Sequence, residues 1–343
     1  MPGRVRGAVT LEDVARVAGV SLGTASRALN GRSGVNPETV QRVRAAAERL
    51  GYQPSAVARG LRSGRTFTVG LITTDLFGRF SIPVMLGAED ALGAGQISVL
   101  LCDSRDDPIR ERHHLRILLE RRVDGIIVAG RRTDPRPPIG HNLPVPVVYA
   151  MTKSEDPDDC SVVPDDFGGG GIAATHLLSV GRSRIAHITG PERFEAARQR
   201  ADAFSRVLGE AGLTLAGGAP QFGEWTEEWG RYATYAALRA TPDLDAIFCG
   251  SDQIARGAAD IVREQGLRIP GDVAVLGFDN WEVMAVACRP PLTTIDMNLR
   301  EVGRQAASFL LRAIDGDPQE GVHTVPCTLV LRQSTDITTP LPN

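Results

Sequence analysis

Short apolar runs alternate with amphipathic segments along most of this 343-residue chain. The first runs, from Phe67 onwards, read TFTVGLI, ISVLLCD, GIIVAG and VPVVYA, and a second set reads RIAHITG, DAIFCG and VAVLGFD. The segments between them predict helices over residues 83–94, 108–122, 170–180, 196–211, 228–240 and 253–265. Such alternation predicts an α/β core of two doubly wound parallel-sheet subdomains, with a ligand cleft between them where the strands end.

Residues 10–30, TLEDVARVAGVSLGTASRALN, predict two short helices joined by a tight turn. Thr10 and Asp13 have the spacing of a capping box, in which each side chain satisfies a free N–H of the first helical turn. Gly19 ends that helix, and Ser21 is suited to cap the second one. This arrangement is a helix-turn-helix, the shape that places one helix in the DNA major groove.

The second of these helices has an apolar face and a face open to a partner. Its outward positions are Leu22, Gly23, Ser26 and Arg27. A third helix is predicted from Pro37, behind the N-cap residue Asn36, to Leu50. Together the three helices predict a small all-α head in front of the α/β core.

The distribution of charge separates this head from the rest of the chain. Residues 1–65 hold eleven arginines and four acidic residues, whereas the remaining residues hold 27 basic and 37 acidic ones. A basic head suits contact with phosphate. A solvated basic face and a helical hairpin with no DNA role are the alternatives, and the charge combined with the helix pair favours nucleic acid as the partner.

The segment from Gly19 to Gly23 also fits the GxSxG pattern of hydrolase nucleophiles. That motif requires a strand before the serine, whereas a capped helix is predicted there. No histidine or aspartate nearby is placed to complete a catalytic triad. The pattern therefore does not favour a hydrolase.

Residues 52–65, YQPSAVARGLRSGR, connect the head to the core. The segment is too short and too poor in helix formers to be helical alone in water, so we expect it to be disordered in isolation and to fold on a partner. A plain linker is the alternative. The pair Val57 and Leu61, four residues apart and surrounded by arginines, instead favours a segment that lies against DNA.

Composition and weak motifs disfavour several other classes of protein. No apolar run approaches the roughly 20 residues that span a bilayer and no signal peptide opens the chain, so we expect a cytoplasmic protein with no membrane partner. The five cysteines are scattered, and the adjacent His113 and His114 would point to different sides of a helix, so no disulfide framework and no metal site is expected. Gly168, Gly170 and Ala173 fit a dinucleotide fingerprint, but no matching ribose-binding acid follows, so no cofactor is expected.

Over about residues 9–338 the chain resembles the lactose repressor family of bacterial transcription regulators. The resemblance rests on the head VTLEDVARVAGVSLGTASRALNG, the helix NPETVQRVRAAAERLGYQP, the hinge AVARGL and the core phrases RVDGIIV, RQRADAF, GSDQIARGA, VAVLGFDN and PPLTTID. It implies a head, a hinge helix and a core shaped like periplasmic sugar-binding proteins. The implied limits are 1–53 for the head, 54–66 for the hinge and linker, 67–166 plus 297–324 for an N-subdomain, and 167–296 plus 325–343 for a C-subdomain.

The same resemblance implies which residues contact DNA. Leu22, Gly23 and Arg27 occupy base-reading positions, and phosphate contacts fall on Thr10, Ser21, Thr24, Asn30 and Tyr52. Ser26 and the hinge residues Ala58 and Leu61 complete the predicted DNA surface. Arginine suits guanine because it donates two hydrogen bonds to O6 and N7, whereas Gly23 has no side chain to read a base. Leu61 matches the leucine that such hinge helices wedge into the minor groove.

The resemblance also implies an effector site in the cleft, on Phe80, Arg200, Trp225, Ser251, Asp252 and Asp279. Carboxylates and a guanidinium bond pairs of sugar hydroxyls, and the flat tryptophan ring suits the C–H face of a pyranose. Two alternatives stay open: Asp252 could cap the helix that follows it, and Arg200 could form a structural ion pair.

These features together predict a repressor that binds a near-palindromic double-stranded operator and responds to a small carbohydrate. A homodimer, possibly a tetramer, is expected because two-fold protein symmetry matches a two-fold operator. A transport-type sugar-binding protein is the first rival, and the basic head opposes it. An enzyme is the second, and no nucleophile, base and orienting group can be assembled from these residues.

Overall fold

The computed structural model describes residues 9–29, 34–52, 65–75, 77–93 and 97–335. It separates into two compact units, residues 1–67 and 68–343, which are considered one at a time. Within the described ranges, no helix is both long and apolar enough to cross a membrane.

The first unit contains three helices around one small core. They are α1 (Leu11–Ala18), α2 (Leu22–Leu29) and α3 (Pro37–Leu50). The predicted capping box is present, because the Thr10 N–H donates to the Asp13 carboxylate at 3.0 Å and the Asp13 N–H donates to the Thr10 hydroxyl at 3.3 Å. The core is made of small residues: Val14, Ala15, Ala18, Ala25, Ala28, Val43, Ala46 and Ala47.

The second unit contains two six-stranded sheets. In the first sheet all neighbouring strands are parallel. Its strands, in spatial order, are β13 (Gly321–Val325), β7 (Cys160–Pro164), β5 (Val147–Ala150), β3 (Gly125–Ala129), β1 (Thr68–Thr73) and β2 (Ser98–Asp103). Its helices are α4 (Ser81–Leu92), α5 (Pro108–Glu120) and α11 (Leu299–Ile314). A small parallel pair, β4 (Pro135–Arg136) and β6 (Lys153–Ser154), lies beside this sheet.

The second sheet repeats the arrangement. Its strands, in spatial order, are β14 (Thr328–Val330), β12 (Thr293–Asp296), β11 (Ala274–Asp279), β10 (Ala246–Cys249), β8 (Ile185–Thr189) and β9 (Gln221–Phe222). Its helices are α6 (Asp166–Ser179), α7 (Glu195–Glu210), α8 (Glu227–Ala240), α9 (Asp252–Glu264) and the short α10 (Glu282–Ala285). Only the edge strand β14 runs antiparallel within the described sheet. The predicted fold class, an all-α head followed by two doubly wound sheets, is confirmed.

The chain passes between the two sheets three times, between β7 and α6, between β12 and α11, and between β13 and β14. The carboxyl ends of the parallel strands lie next to these crossings, so the loops that follow the strands can line a common cleft. The domain limits implied by the resemblance stay a prediction, since the head and hinge limits fall partly outside the described residues.

Two helices begin two or more residues earlier than predicted, because an aspartate caps each of them. The Asp75 carboxylate accepts from the Phe80 and Ser81 N–H groups at 2.6 and 2.9 Å, so α4 begins at Ser81. The Asp165 carboxylate accepts from the Gly168 N–H at 2.8 Å, so α6 begins at Asp166 and includes the glycine run. A Cβ at Gly170 would lie 2.4 Å from the Arg200 carbonyl oxygen. Gly170 therefore allows α6 to pack closely on α7, and the glycine run lies within a helix and not in a loop.

Candidate functional site

The serine of the GxSxG segment is a helix cap. Ser21 Oγ accepts from the Thr24 N–H at 3.2 Å and lies 2.9 Å from Thr24 Oγ1. The element before it is helix α1, not a strand. A nucleophile elbow requires a strand at that point, so this geometry does not suit a hydrolase.

One face of α2 is open and the other is buried in the head. Ala25 and Ala28 are fully buried, whereas Leu22, Gly23 and Arg27 are exposed. Arg27 Nε donates to the Gly23 carbonyl at 3.3 Å, so the guanidinium lies along the open face of the helix. The open face thus carries the residues assigned to base reading.

The other predicted DNA contacts are distributed around the head. Thr10 caps α1, Ser26 is partly exposed on α2, and Tyr52 packs against the small core. Asn30, Ala58 and Leu61 lie outside the described residues. The DNA surface as a whole stays a prediction.

A cavity of about 380 Å³ lies between the two sheets of the core. Small-molecule sites usually measure about 300 to 1,000 Å³. Phe80 follows β1, Trp225 follows β9, Ser251 follows β10 and Asp279 ends β11, so the wall is made by strand ends of both sheets. Arg200, on α7, completes the set of predicted residues in this wall.

Arg200 is held in place by the protein itself. Its side chain is 4% exposed and donates to the Asp166 carboxylate at 2.9 and 2.7 Å and to the Gly250 carbonyl at 2.7 Å. Its guanidinium carbon lies 3.6 Å from the centre of the Phe278 ring. The structural ion pair that the sequence left open is therefore present, and Arg200 still forms part of the cavity wall.

Asp279 is the acidic centre of the cleft. Its side chain is 4% exposed, and burial raises the pKa of its carboxyl above the ordinary value despite two neighbouring arginines. Arg200 Nη1 lies 3.7 Å from Oδ1. The backbone φ of Asp279 is 108°, an uncommon conformation for a residue with a side chain and one that often marks functional sites.

Asp252 does not line the cavity, contrary to the expectation that it contacts the effector. Its side chain is fully buried, and its two oxygens accept from Thr294 Oγ1 at 2.6 Å and from the Trp281 N–H at 2.7 Å. Burial, followed by the charge of Asp279, raises the pKa of Asp252 to about 8. Nor does it cap α9, because Ser251 caps that helix. Ser251 Oγ accepts a hydrogen bond from the Ile254 N–H at 3.3 Å. Asp252 is therefore a structural residue beneath the cleft.

Arg79 is a cleft residue that the sequence reasoning missed. It lies in the loop after β1, and its guanidinium crosses to the other sheet to pair with the Asp279 carboxylate and to donate to Gln253 Oε1 at 3.0 Å. The guanidinium also lies 4.6 Å from the centre of the Trp281 ring. The only feature of the sequence that pointed to Arg79 as a cleft residue was its position next to Phe80. The pattern of apolar residues cannot reveal a contact between side chains that are 200 positions apart in the chain.

Two polar atoms in the cavity wall have no hydrogen-bond partner among the described residues. They are Arg79 Nε, a donor, and Asp134 Oδ2, an acceptor. Buried polar groups in folded proteins are normally paired, so unpaired ones in a cavity indicate places for ligand atoms.

Trp225 supplies an apolar surface in the same wall, where its ring covers Gly190 so closely that a Cβ at Gly190 would lie 2.1 Å from the ring.

Comparisons with known proteins match both parts of the chain. Residues 10–55 match the lacI family of bacterial regulatory proteins, and residues 174–335 match a periplasmic binding protein-like domain. The transcriptional repressor PurR of Aliivibrio fischeri is 33% identical over 337 residues, which cover 95% of this chain and 98% of that protein. The regulator CelR of Thermobifida fusca is 34% identical over 334 residues, with 95% and 98% covered.

Solved structures agree with these matches. A CelR–cellobiose complex superimposes with a TM-score of 0.66 at 30% identity and covers 95% of this chain and 99% of that one. The lac repressor dimer bound to operator and the anti-inducer ONPF gives a TM-score of 0.71 at 29% identity, with 96% and 99% covered. The chain has a helix-turn-helix head and a two-sheet core, and about a third of its residues are identical to those of these regulators over nearly its whole length. We conclude that the chain belongs to the lacI family of bacterial regulatory proteins.

Proposed function

We propose that this protein is a transcriptional repressor whose operator affinity is set by a small sugar-like effector in the cleft of the core. The observation that carries the proposal is that strand ends of both sheets line one cavity. A ligand that contacts both subdomains has different affinities for their different relative positions, and only such differential affinity can shift a conformational equilibrium.

The head supplies the contact with DNA. The open face of α2 carries Arg27, and the helix-turn-helix geometry suits insertion of that face into the major groove. A near-palindromic operator and a homodimer follow together, because two heads related by two-fold symmetry read two half-sites. The PurR and CelR relatives, a repressor and a regulator of transcription, support this assignment, and we assign no catalytic activity to the cleft.

The cleft suits a ligand with several hydroxyl groups. Asp134 Oδ2 can accept from one hydroxyl and Arg79 Nε can donate to another, while the Trp225 ring can stack on the C–H face of a sugar. Asp279 already pairs with Arg79, so an effector hydroxyl that bonds to Asp279 would compete with that arginine across the cleft. The cellobiose in the CelR complex is consistent with a carbohydrate-binding cleft in a relative.

Two measurements on the full-length protein test this proposal. Fluorescence anisotropy with DNA from upstream of its own gene should give tighter binding than random DNA of equal length. A thermal-shift screen of neutral and acidic sugars should then identify a ligand, since a ligand at a hundred times its Kd adds about 2.7 kcal/mol to stability. Equal affinity for both DNAs would contradict the repressor assignment, and a stabilising sugar with no effect on operator binding would contradict the allosteric part.

A further inference from the structure

The arginines at the mouth of the cleft, unlike those at its floor, are not paired with buried carboxylates. At the floor, Arg79 and Arg200 are matched by the carboxylates of Asp279 and Asp166. At the mouth lie Arg131, Arg132 and Arg193, which are all substantially exposed. The carboxylates nearest to these three arginines belong to Asp106 and Glu224.

Arg131 is the only one of the three mouth arginines that donates a hydrogen bond to a carboxylate of the described residues. Its Nη2 lies 2.9 Å from Asp106 Oδ2. Arg132 Nη2 lies 3.9 Å from the same oxygen, and Arg193 Nη1 lies 4.0 Å from Glu224 Oε1. Hydrogen bonds of this type are about 2.7 to 2.9 Å long. The donors of Arg132 and Arg193 are therefore left for another acceptor.

One aromatic ring brings these two guanidinium groups together from opposite subdomains. Arg132 follows β3 of the first sheet, and Arg193 follows β8 of the second. Their guanidinium carbons lie 5.2 and 4.6 Å from the centre of the Phe194 ring, which is also in the cavity wall. The two guanidinium carbons are therefore less than 10 Å apart, and an anion that contacts both would offset the repulsion between the two charges.

We propose that the effector carries an anionic group, a phosphate monoester or a carboxylate, that binds between Arg132 and Arg193 while its hydroxyl groups face the floor of the cleft. This inference rests on the proposed effector cleft and narrows its ligand class. Guanidinium groups suit both anions, because their planar donors match the oxygens of carboxylate and phosphate in pairs. Since the two arginines belong to different subdomains, the anion also joins those subdomains.

Direct binding measurements on the full-length protein test the site. In the first experiment, the stability of the protein is measured as inorganic phosphate replaces chloride at constant ionic strength. In the second, calorimetry compares the binding of glucose 6-phosphate and of glucuronate with that of glucose. We expect phosphate to stabilise the protein and at least one acidic sugar to bind about tenfold or more tightly than glucose, the effect of one charge-assisted hydrogen bond. The two acidic sugars distinguish a phosphate site from a carboxylate site.

Variants locate the anion. Arg132→Gln and Arg193→Gln should each weaken binding of phosphate and of the acidic sugar about tenfold, whereas Arg131→Gln, whose arginine is already paired with Asp106, should change it by less than about threefold. The inference is overturned if phosphate does not stabilise the protein, if glucose binds as tightly as both acidic sugars, or if the three variants are equivalent. A neutral sugar that binds and alters operator affinity would overturn this inference and leave the proposed function intact.

Discussion

The ion pair between Arg79 and Asp279 joins the two subdomains, and its removal gives the most informative prediction about stability. The side chains are 14% and 4% exposed, so both charges are largely removed from water. Arg79→Met keeps most of the apolar volume and removes the charge. The Asp279 carboxylate is then left with Arg200, whose nitrogen is 3.7 Å away and already bonded to the Gly250 carbonyl.

Breaking a buried pair by removing one partner usually costs about 3 to 5 kcal/mol. Because Arg200 still compensates part of the charge, we expect Arg79→Met to lower the free energy of unfolding by about 3 kcal/mol at neutral pH. An exposed pair provides the matched control. Arg300 and Asp90 are 2.8 Å apart with side chains 67% and 51% exposed, so Arg300→Met should lower the free energy of unfolding far less than Arg79→Met.

The cost should depend on pH with a defined sign. Burial already raises the pKa of Asp279 in the folded protein, and the positive charge of Arg79 lowers it, so the variant raises it further. A folded-state pKa above the unfolded one gives stability that is present below the unfolded pKa and is lost as pH rises through the folded pKa. The difference between wild type and Arg79→Met should therefore grow as the pH rises from about 4, the ordinary pKa of an aspartate, through neutral.

Urea unfolding of both proteins across this pH range measures the effect. The double variant Arg79→Met/Asp279→Asn should recover part of the lost free energy, because it leaves no buried charge uncompensated. A cost for Arg79→Met that equals that of Arg300→Met, or that does not change with pH, would refute the reasoning.

Three further predictions concern the head, the hinge and the packing of the core. Arg27→Ala should weaken binding to the specific operator by about 1 to 3 kcal/mol more than binding to random DNA, and equal losses on both would identify Arg27 as a phosphate contact only. Leu61→Ala should reduce operator bending as well as affinity in a gel-phasing assay, and unchanged bending would exclude a wedge. Gly87→Ala should destabilise the core by at least about 1 to 3 kcal/mol in thermal unfolding, because its Cβ would lie 1.8 Å from the Arg300 carbonyl oxygen, whereas the control Gly209→Ala meets no atom within 4 Å and should be neutral or stabilising.

The head could be predicted almost entirely from its sequence, because its determinants are local. Thr10 and Asp13 are three residues apart, and Gly19, with a φ of 65°, ends α1 where the sequence predicts. The seven apolar runs likewise predict seven of the strands, since a buried parallel strand needs apolar side chains on both faces. These strands are β1, β2, β3, β5, β8, β10 and β11. Helix starts were less predictable where an aspartate several residues earlier supplied the cap, as Asp75 does for α4.

The cleft could be predicted only in part, because its contacts join distant positions. Strand ends indicated where Asp279 and Ser251 would lie, but no local pattern shows that Arg79 crosses the cleft to Asp279. The expectation that Asp252 contacts the effector failed for a different reason. Its carboxylate packs against β11, where a Cβ at Gly277 would be 2.2 Å from Oδ1, so the small residue at position 277 leaves room for this aspartate to face inward.

The central claim is that a ligand in the cleft of the core controls operator binding by the head. The most direct test is operator affinity of the full-length protein by anisotropy, with and without the sugar found in the thermal-shift screen, for wild type and Asp279→Asn. We expect the sugar to change the wild-type Kd by about 5- to 150-fold, the usual range of allosteric coupling, and expect Asp279→Asn to lose most of that response when its affinities with and without the sugar are compared. An Asp279→Asn protein that responds at the wild-type sugar concentration, or a wild-type protein whose operator affinity no cleft-binding sugar changes, would contradict the account.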